Sequence, residues 1–209
     1  IDGGTVTVSG GSTTITEPWS GINSDGAITM TDGTLSITTS ASGVYDSSES
    51  DYTAPSCLKA DGNIVVKGGT VTGTNSGSGG RGIKAGGTYT QSNGIVKMTV
   101  TGANLGSSTS SGGGNPFGGG GQPGRPGQQN SSSSSSSASA SAKGVRVTGA
   151  ITISGGTLHA ISSNHEAIES KSTITISGGE VYGYSASDDG INASSDFTIS
   201  GGYLCGYAP

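Results

Sequence analysis

The chain has 209 residues, of which only 11% are charged and 29% hydrophobic, while glycine alone numbers 41. This excludes an ordinary helical or α/β domain, which uses more Leu, Ala, Glu and Lys. The scarcity of charge also excludes the usual highly charged disordered chain. The net charge of −5 hides a segregation: eight of the nine bases lie between Tyr52 and His159, where Asp61 is the only acid, so a middle of +7 is flanked by ends of −7 and −5. No run approaches the roughly 18 to 20 apolar residues of a membrane span, and no signal peptide is visible. The chain opens in mid-pattern at Asp2 and stops just after a repeat, so it reads as an excised or mature piece of a larger protein.

In chain order the repeats begin with a partial unit, DGGTVTV from Asp2. Six fuller units follow: GINSDGAITMTDGTLSI from Gly21, CLKADGNIVVKGGTVTG from Cys57, GIKAGGTYTQSNGIVKM from Gly82, GVRVTGAITISGGTLHA from Gly144, AIESKSTITISGGEVYG from Ala167 and GINASSDFTISGGYLCG from Gly190. The shortest spacing is 23 residues, and longer spacings hold inserted loops. Apolar residues alternate with polar ones, which is the period of a strand. They align as four columns, headed by Ile22, Ile28, Met30 and Leu35, with Gln91 the polar exception in the third. Each unit therefore predicts three short strands, with paired glycines at a tight bend. One unit cannot bury its apolar face alone, so stacking closes the core. The prediction is an all-β, right-handed parallel β-helix of about seven coils forming one domain over 1–209. Two insertions leave the same corner. Ser40–Ser56 carries Asp46, Glu49 and Asp51, and residues 103–142 form a Gly/Ser/Pro-rich stretch whose composition suits a flexible loop.

The pattern G-I-x-A-x-x-x-I-T-I-S-G-G-x-V/L resembles the bacterial "carbohydrate-binding domain-containing" family. The match is strongest at SDDGINASSDFTISGG (Ser187–Gly202) and supported by Ile151–Gly179. It covers nearly the whole chain except the low-complexity loop. The resemblance implies a right-handed β-helix similar in shape to pectate lyases. A clostridial member of the family binds cellulose and acidic sugars such as polygalacturonate, and carries calcium. For this chain the resemblance thus implies acidic-polysaccharide binding, calcium as the cofactor, and an extracellular or cell-surface location.

Stacking turns repeat positions into vertical columns. The position after the first-strand apolar residue reads Asn23, Lys59, Lys84, Arg146, Glu169, Asn192, and the position before the turn glycine reads Ser20, Ser56, Arg81, Lys143, Glu166, Asp189. One face is expected to carry Lys59, Arg81, Lys84, Lys143 and Arg146 on adjacent coils. Like charges about 4.8 Å apart repel by about 0.9 kcal/mol even in water, and an extended polyanion laid along the stack relieves this. Arg offers a bidentate fork to a carboxylate and Lys a point charge, which makes a pectin-like polymer the candidate ligand. The plain alternative is that these long side chains splay apart into solvent. Nucleic acid is disfavoured by the net negative charge and by the lack of an aromatic array among the bases.

Glu166, Glu169, Asp188 and Asp189 fall at one corner of two neighbouring coils and are the candidate calcium ligands. Calcium takes six to eight oxygens, which carboxylates and loop carbonyls supply. The alternatives there are a solvated acidic turn or a Glu169–Arg146 salt bridge. Asp25 with Asp46, Glu49 and Asp51 forms a second, weaker acidic group.

No residue is assigned a catalytic role, and the ingredients favour a non-catalytic binder. The rival is a calcium-dependent pectate-lyase-like enzyme using Arg81 or Arg146 as base. The pectin-cleaving glycosidases are excluded because only Asp188-Asp189 and, loosely, Arg81–Lys84 imitate their motifs, and in reversed order. Outward Thr-x-Ser pairs such as Thr152/Ser154 raise an ice-binding alternative, and a surface adhesin or structural repeat, with self-association, is a further one. Cys57 and Cys205 lie several coils apart and are expected to be free thiols. His159 and His165 are expected to be ordinary surface histidines. Tyr182 is placed beside His159 and Cys205 in the stack, with Tyr203 nearby, and Trp19 sits at the first turn as another surface for sugar stacking.

Overall fold

The computed structural model describes residues 1–106 and 138–209. Their regular structure is entirely β, and no helix among them is long and apolar enough to cross a membrane. Two large sheets account for most strands. The first has seven, running Asp2–Gly3, Ile22–Ser24, Ser56–Ala60, Arg81–Ala85, Lys143–Val147, Ile168–Ser170 and Ile191–Ala193, each paired in parallel with the strand of the next repeat. The second sheet has twelve strands in two limbs that share the long strand Ile28–Thr39. One limb continues through Ile64–Val66 and the other through Thr70–Asn75, so each repeat gives one strand to the first sheet and one to each limb. These pairings are parallel throughout.

The four apolar columns face one another. A single buried cluster takes Ile22, Leu58 and Ile83 from the first sheet, Ile64 and Ile151 from one limb, and Val71 and Leu158 from the other. Gln91 lies inside this core at 0% exposure. It is accommodated because Tyr89 Oη donates to its Oε1 at 2.7 Å and its Nε2 donates to the carbonyls of Gly94 and Thr157. The corners carry their own polar ladder. Ser24 and Ser170 hydroxyls donate to turn carbonyls at one corner, and Asn75, Ser162 and Ser185 do so at another. These side chains satisfy backbone groups that the turns leave unpaired.

The paired glycines work for two different reasons. The second, as in Gly156 and Gly179, has φ of 78° and 80°, where a Cβ is strained. The first has no such φ, but a Cβ on Gly155 would lie 2.3 Å from the Ser92 carbonyl oxygen of the neighbouring repeat.

Both insertions leave the corner after the third strand. The first folds as an antiparallel hairpin, Val44–Asp46 with Asp51–Thr53. The ends of the second, Leu105–Gly106 and Ser139–Ala140, also pair antiparallel. Most of the loop expected over 103–142 lies outside the described residues.

Candidate functional site

The first sheet sets the candidate ligand residues one repeat apart. Its register places Lys59 opposite Asn23, Lys84 opposite Lys59, Arg146 opposite Lys84, and Glu169 opposite Arg146. A second column places Arg81 between Ser56 and Lys143. The five bases therefore do stack on adjacent rungs. Their exposure is unequal, however, and two of the five expected ligand residues are withdrawn from solvent. The Lys59 and Arg146 side chains keep 27% and 29% of their exposure, whereas Arg81 and Lys143 are buried at 7% and 5%. Burial, and then the charges of Arg81, Lys59 and Arg146, pull Lys84 below its ordinary pKa, as expected for bases crowded in register.

The acidic hairpin faces the more exposed column. Asp46, Glu49, Asp51 and Tyr52 form one wall of a cleft whose other wall is Lys59 and Lys84. A second cleft shares Thr53, Ala54 and Lys59 with the first and runs on past Asn23 to Trp19, Glu17 and Asp2. The two clefts adjoin at Lys59 and together form the groove of the first sheet. Trp19 is 37% exposed and supplies an aromatic surface at one end of it. Asn23, Lys59 and Lys84 supply donors on three successive rungs. The hairpin wall was hidden from the sequence because an insertion has no repeat to align with.

Residues 1–103 match the family model described as "Carbohydrate-binding domain-containing protein". The matched segment contains Trp19, Asn23, the hairpin, Lys59, Arg81 and Lys84, and so the whole groove. Lys143, Arg146 and the acidic corner lie beyond it. No curated protein and no solved structure matches the chain.

The acidic corner is knitted into the buried basic column. Lys143 Nζ lies 2.9 Å from Glu166 Oε2 and 2.7 Å from Glu169 Oε2. Glu169 also meets Arg146 Nε at 3.4 Å and Lys171 Nζ at 2.5 Å. Burial alone would raise the Glu169 carboxyl, but hydrogen bonds from Lys143 and Lys171 outweigh it and hold the pKa below the usual value. Asp189 turns away and accepts from Asn192 Nδ2 at 2.8 Å. Asp188 approaches His165 Nδ1 at 2.9 Å, and His165 also contacts Glu166.

Of the four expected calcium ligands, the structure thus gathers Glu166 and Asp188, and adds His165, with ligand atoms all within 4.8 Å of one another. His165 stands in no repeat column, so no pattern in the sequence selects it. This set offers two carboxylates and an imidazole nitrogen, with the Lys143 ammonium already on Glu166. Calcium takes six to eight oxygens and prefers hard donors, so these three residues do not by themselves fit a calcium cage.

On the outer face of the third strands, His159 opposes Tyr182, and Tyr182 opposes Cys205. The Tyr182 ring lies 5.7 Å from His159 and 5.5 Å from Tyr203. Tyr184 and Tyr207, which no sequence pattern singles out, stack at 5.1 Å and 3°. These two rings face each other, so their shared faces are not offered to a sugar. Cys57 and Cys205 are both free, and burial pushes the Cys57 thiol up to about 11.

Proposed function

We propose that this chain is a non-catalytic polysaccharide-binding protein and that the groove on the first sheet is where the glycan lies. The observation that carries the reading is the make-up of the two adjoining clefts. It combines one exposed aromatic, Trp19, with a donor on each of three successive rungs, all inside the segment that matches the carbohydrate-binding family model. A polymer laid along the stack meets a new donor about every 4.8 Å, the spacing between strands.

The scaffold proposed for it is a right-handed parallel β-helix of about seven coils. The visiting order of the strands supports this, as does the strong right-handed preference of crossovers between parallel strands. Lys59 and Lys84, one rung apart in the groove, support an acidic polymer of the polygalacturonate kind over a neutral one such as cellulose, because ammoniums in register gain from an anion, while Asp46, Glu49 and Asp51 on the facing wall oppose it. Such a ligand places the protein outside the cell or on its surface.

Affinity electrophoresis through gels containing polygalacturonate, neutral galactan or soluble cellulose tests the reading. Retardation is expected, strongest in polygalacturonate, and Trp19→Ala should weaken it about tenfold, as loss of an aromatic anchor does. Unretarded migration in every gel overturns the proposal. A calcium-dependent rise in the absorbance of unsaturated uronate, on the same samples, replaces the binder with a lyase.

A further inference from the structure

The buried column beside the groove holds a charge that no carboxylate of the described residues contacts. Arg81 is 7% exposed, and its Nε has no hydrogen-bond partner. No carboxylate oxygen of those residues lies within 4.0 Å of its guanidinium, whereas Lys143 has two such carboxylates. The two residues occupy the same column on adjacent rungs. On the other side of Arg81 the register places Ser56, whose hydroxyl is also buried and unpartnered. Lys84, on the same strand as Arg81, lines the groove. Asp51 of the hairpin and Glu169 act on Arg81 only through their charge at longer range. Burial, and then the charge of Arg146, lower the guanidinium to about 10, so it stays protonated at neutral pH.

Burying a guanidinium and a hydroxyl without partners is unfavourable. At Lys143 the fold supplies the counter-charge. At Arg81 no carboxylate of the described residues comes into contact, and the guanidinium fork matches the two oxygens of a planar oxyanion. We propose that Arg81, with the Ser56 hydroxyl and the Lys84 ammonium, forms a receptor for one oxyanion group carried by the glycan, a carboxylate or a sulfate ester. This rests on the reading of the groove as a glycan site. It goes beyond that reading by assigning the residue that separates charged from neutral sugars.

The test uses the full chain and its Arg81→Gln variant. Both are melted in sodium chloride, sodium sulfate and sodium galacturonate at equal ionic strength, then run in gels of polygalacturonate, sulfated galactan and neutral galactan. In chloride the variant should melt at or above the parent, because it loses an unpaired buried charge. The parent's extra rise in galacturonate or sulfate should vanish in the variant, and any general salt effect is common to both proteins. Retention by the matching acidic polymer should fall about tenfold while retention by neutral galactan stays the same. Whichever anion gives the larger difference identifies the group.

A variant that melts well below the parent in chloride and responds equally to all anions makes Arg81 structural and overturns the receptor. Equal retention of both proteins on acidic and neutral galactan also overturns it while leaving the glycan reading standing. A lost anion response in a chain that no glycan retains keeps the receptor and overturns the glycan reading. Where Arg81→Gln fails to fold, Ser56→Ala removes only the unpartnered hydroxyl. It should weaken galacturonate binding about threefold or more, and unchanged affinity sinks the proposal.

Discussion

Glu169 Oε2 lies 2.7 Å from Lys143 Nζ in a site where the two side chains keep 2% and 6% of their exposure. The carboxylate is held by three cations, since Arg146 and Lys171 reach it as well. Removing it leaves three positive groups around an emptied, desolvated position. Breaking a buried pair from one side costs about 3–5 kcal/mol. For a domain of this size that lowers Tm by about 6–20 °C, at 2–4 °C per kcal/mol. Glu169→Gln is expected to show this loss in a thermal melt. A shift under about 2 °C would mean that water screens the cluster despite its burial.

Acid should dissolve the same contact. Since the Glu169 carboxyl is held below its ordinary value in the fold, the unfolded chain takes up its proton at higher pH than the folded chain does. Stability from this group is therefore fully present above the unfolded pKa of about 4.3 and is lost as pH falls through the folded value. Melts between pH 7 and pH 3 should decline below about pH 5, and Glu169→Gln should flatten the decline. An identical slope in parent and variant would place the acid sensitivity in other carboxyls.

Chelation tests the His165–Glu166–Asp188 grouping. With Lys143 already on Glu166 and too few oxygens for calcium, the melt is expected to be unmoved by EDTA or by added calcium. A rise of several degrees with calcium, lost in Asp188→Asn, would show that loop carbonyls complete a site these side chains only begin.

Tyr89 and Gln91 make a buried polar pair within the apolar columns of the core, joined at 2.7 Å. Tyr89→Phe strands the Gln91 oxygen there and should cost about 1–3 kcal/mol. Tyr89→Phe with Gln91→Val removes both partners and copies Val66, the residue one rung away in the Gln91 column. That double variant should recover most of the loss in chemical denaturation. A double variant no better than the single one would show that the bonds from Gln91 to Gly94 and Thr157 matter more.

The period of two makes the strands, their stacking register and the inward columns readable in the sequence itself. Even the Glu169–Arg146 contact follows from that register. Repeats predict only what repeats, however. Arg81 and Lys143 share a column with Ser56 and read as surface bases in the sequence, because the column alone does not say that both are buried. Likewise His165 enters the ionic cluster from a turn, where no column directs attention to it. The groove wall formed by Asp46, Glu49, Asp51 and Tyr52 is legible in the sequence only as a loop of acidic residues, because charge alone does not say which way a hairpin folds.

The glycine pairs provide a geometric control on the stacking itself. Gly156→Ala puts a Cβ at φ 78° and 2.5 Å from the Gly94 carbonyl oxygen, while Gly155→Ala has no φ penalty and fails only by the 2.3 Å approach to Ser92. Non-glycine residues in the left-handed region cost about 1–3 kcal/mol, so Gly156→Ala should destabilise by at least that much. If the parallel strands pack as tightly as the register implies, Gly155→Ala should cost a comparable amount through the steric approach alone. Gly4→Ala, with nothing within 4 Å of its added Cβ, should stay within about 0.5 kcal/mol of the parent, as an exposed substitution does. A neutral Gly155→Ala would mean that adjacent repeats can separate locally at this bend, and that the stack is held by its inward columns instead of by its corners.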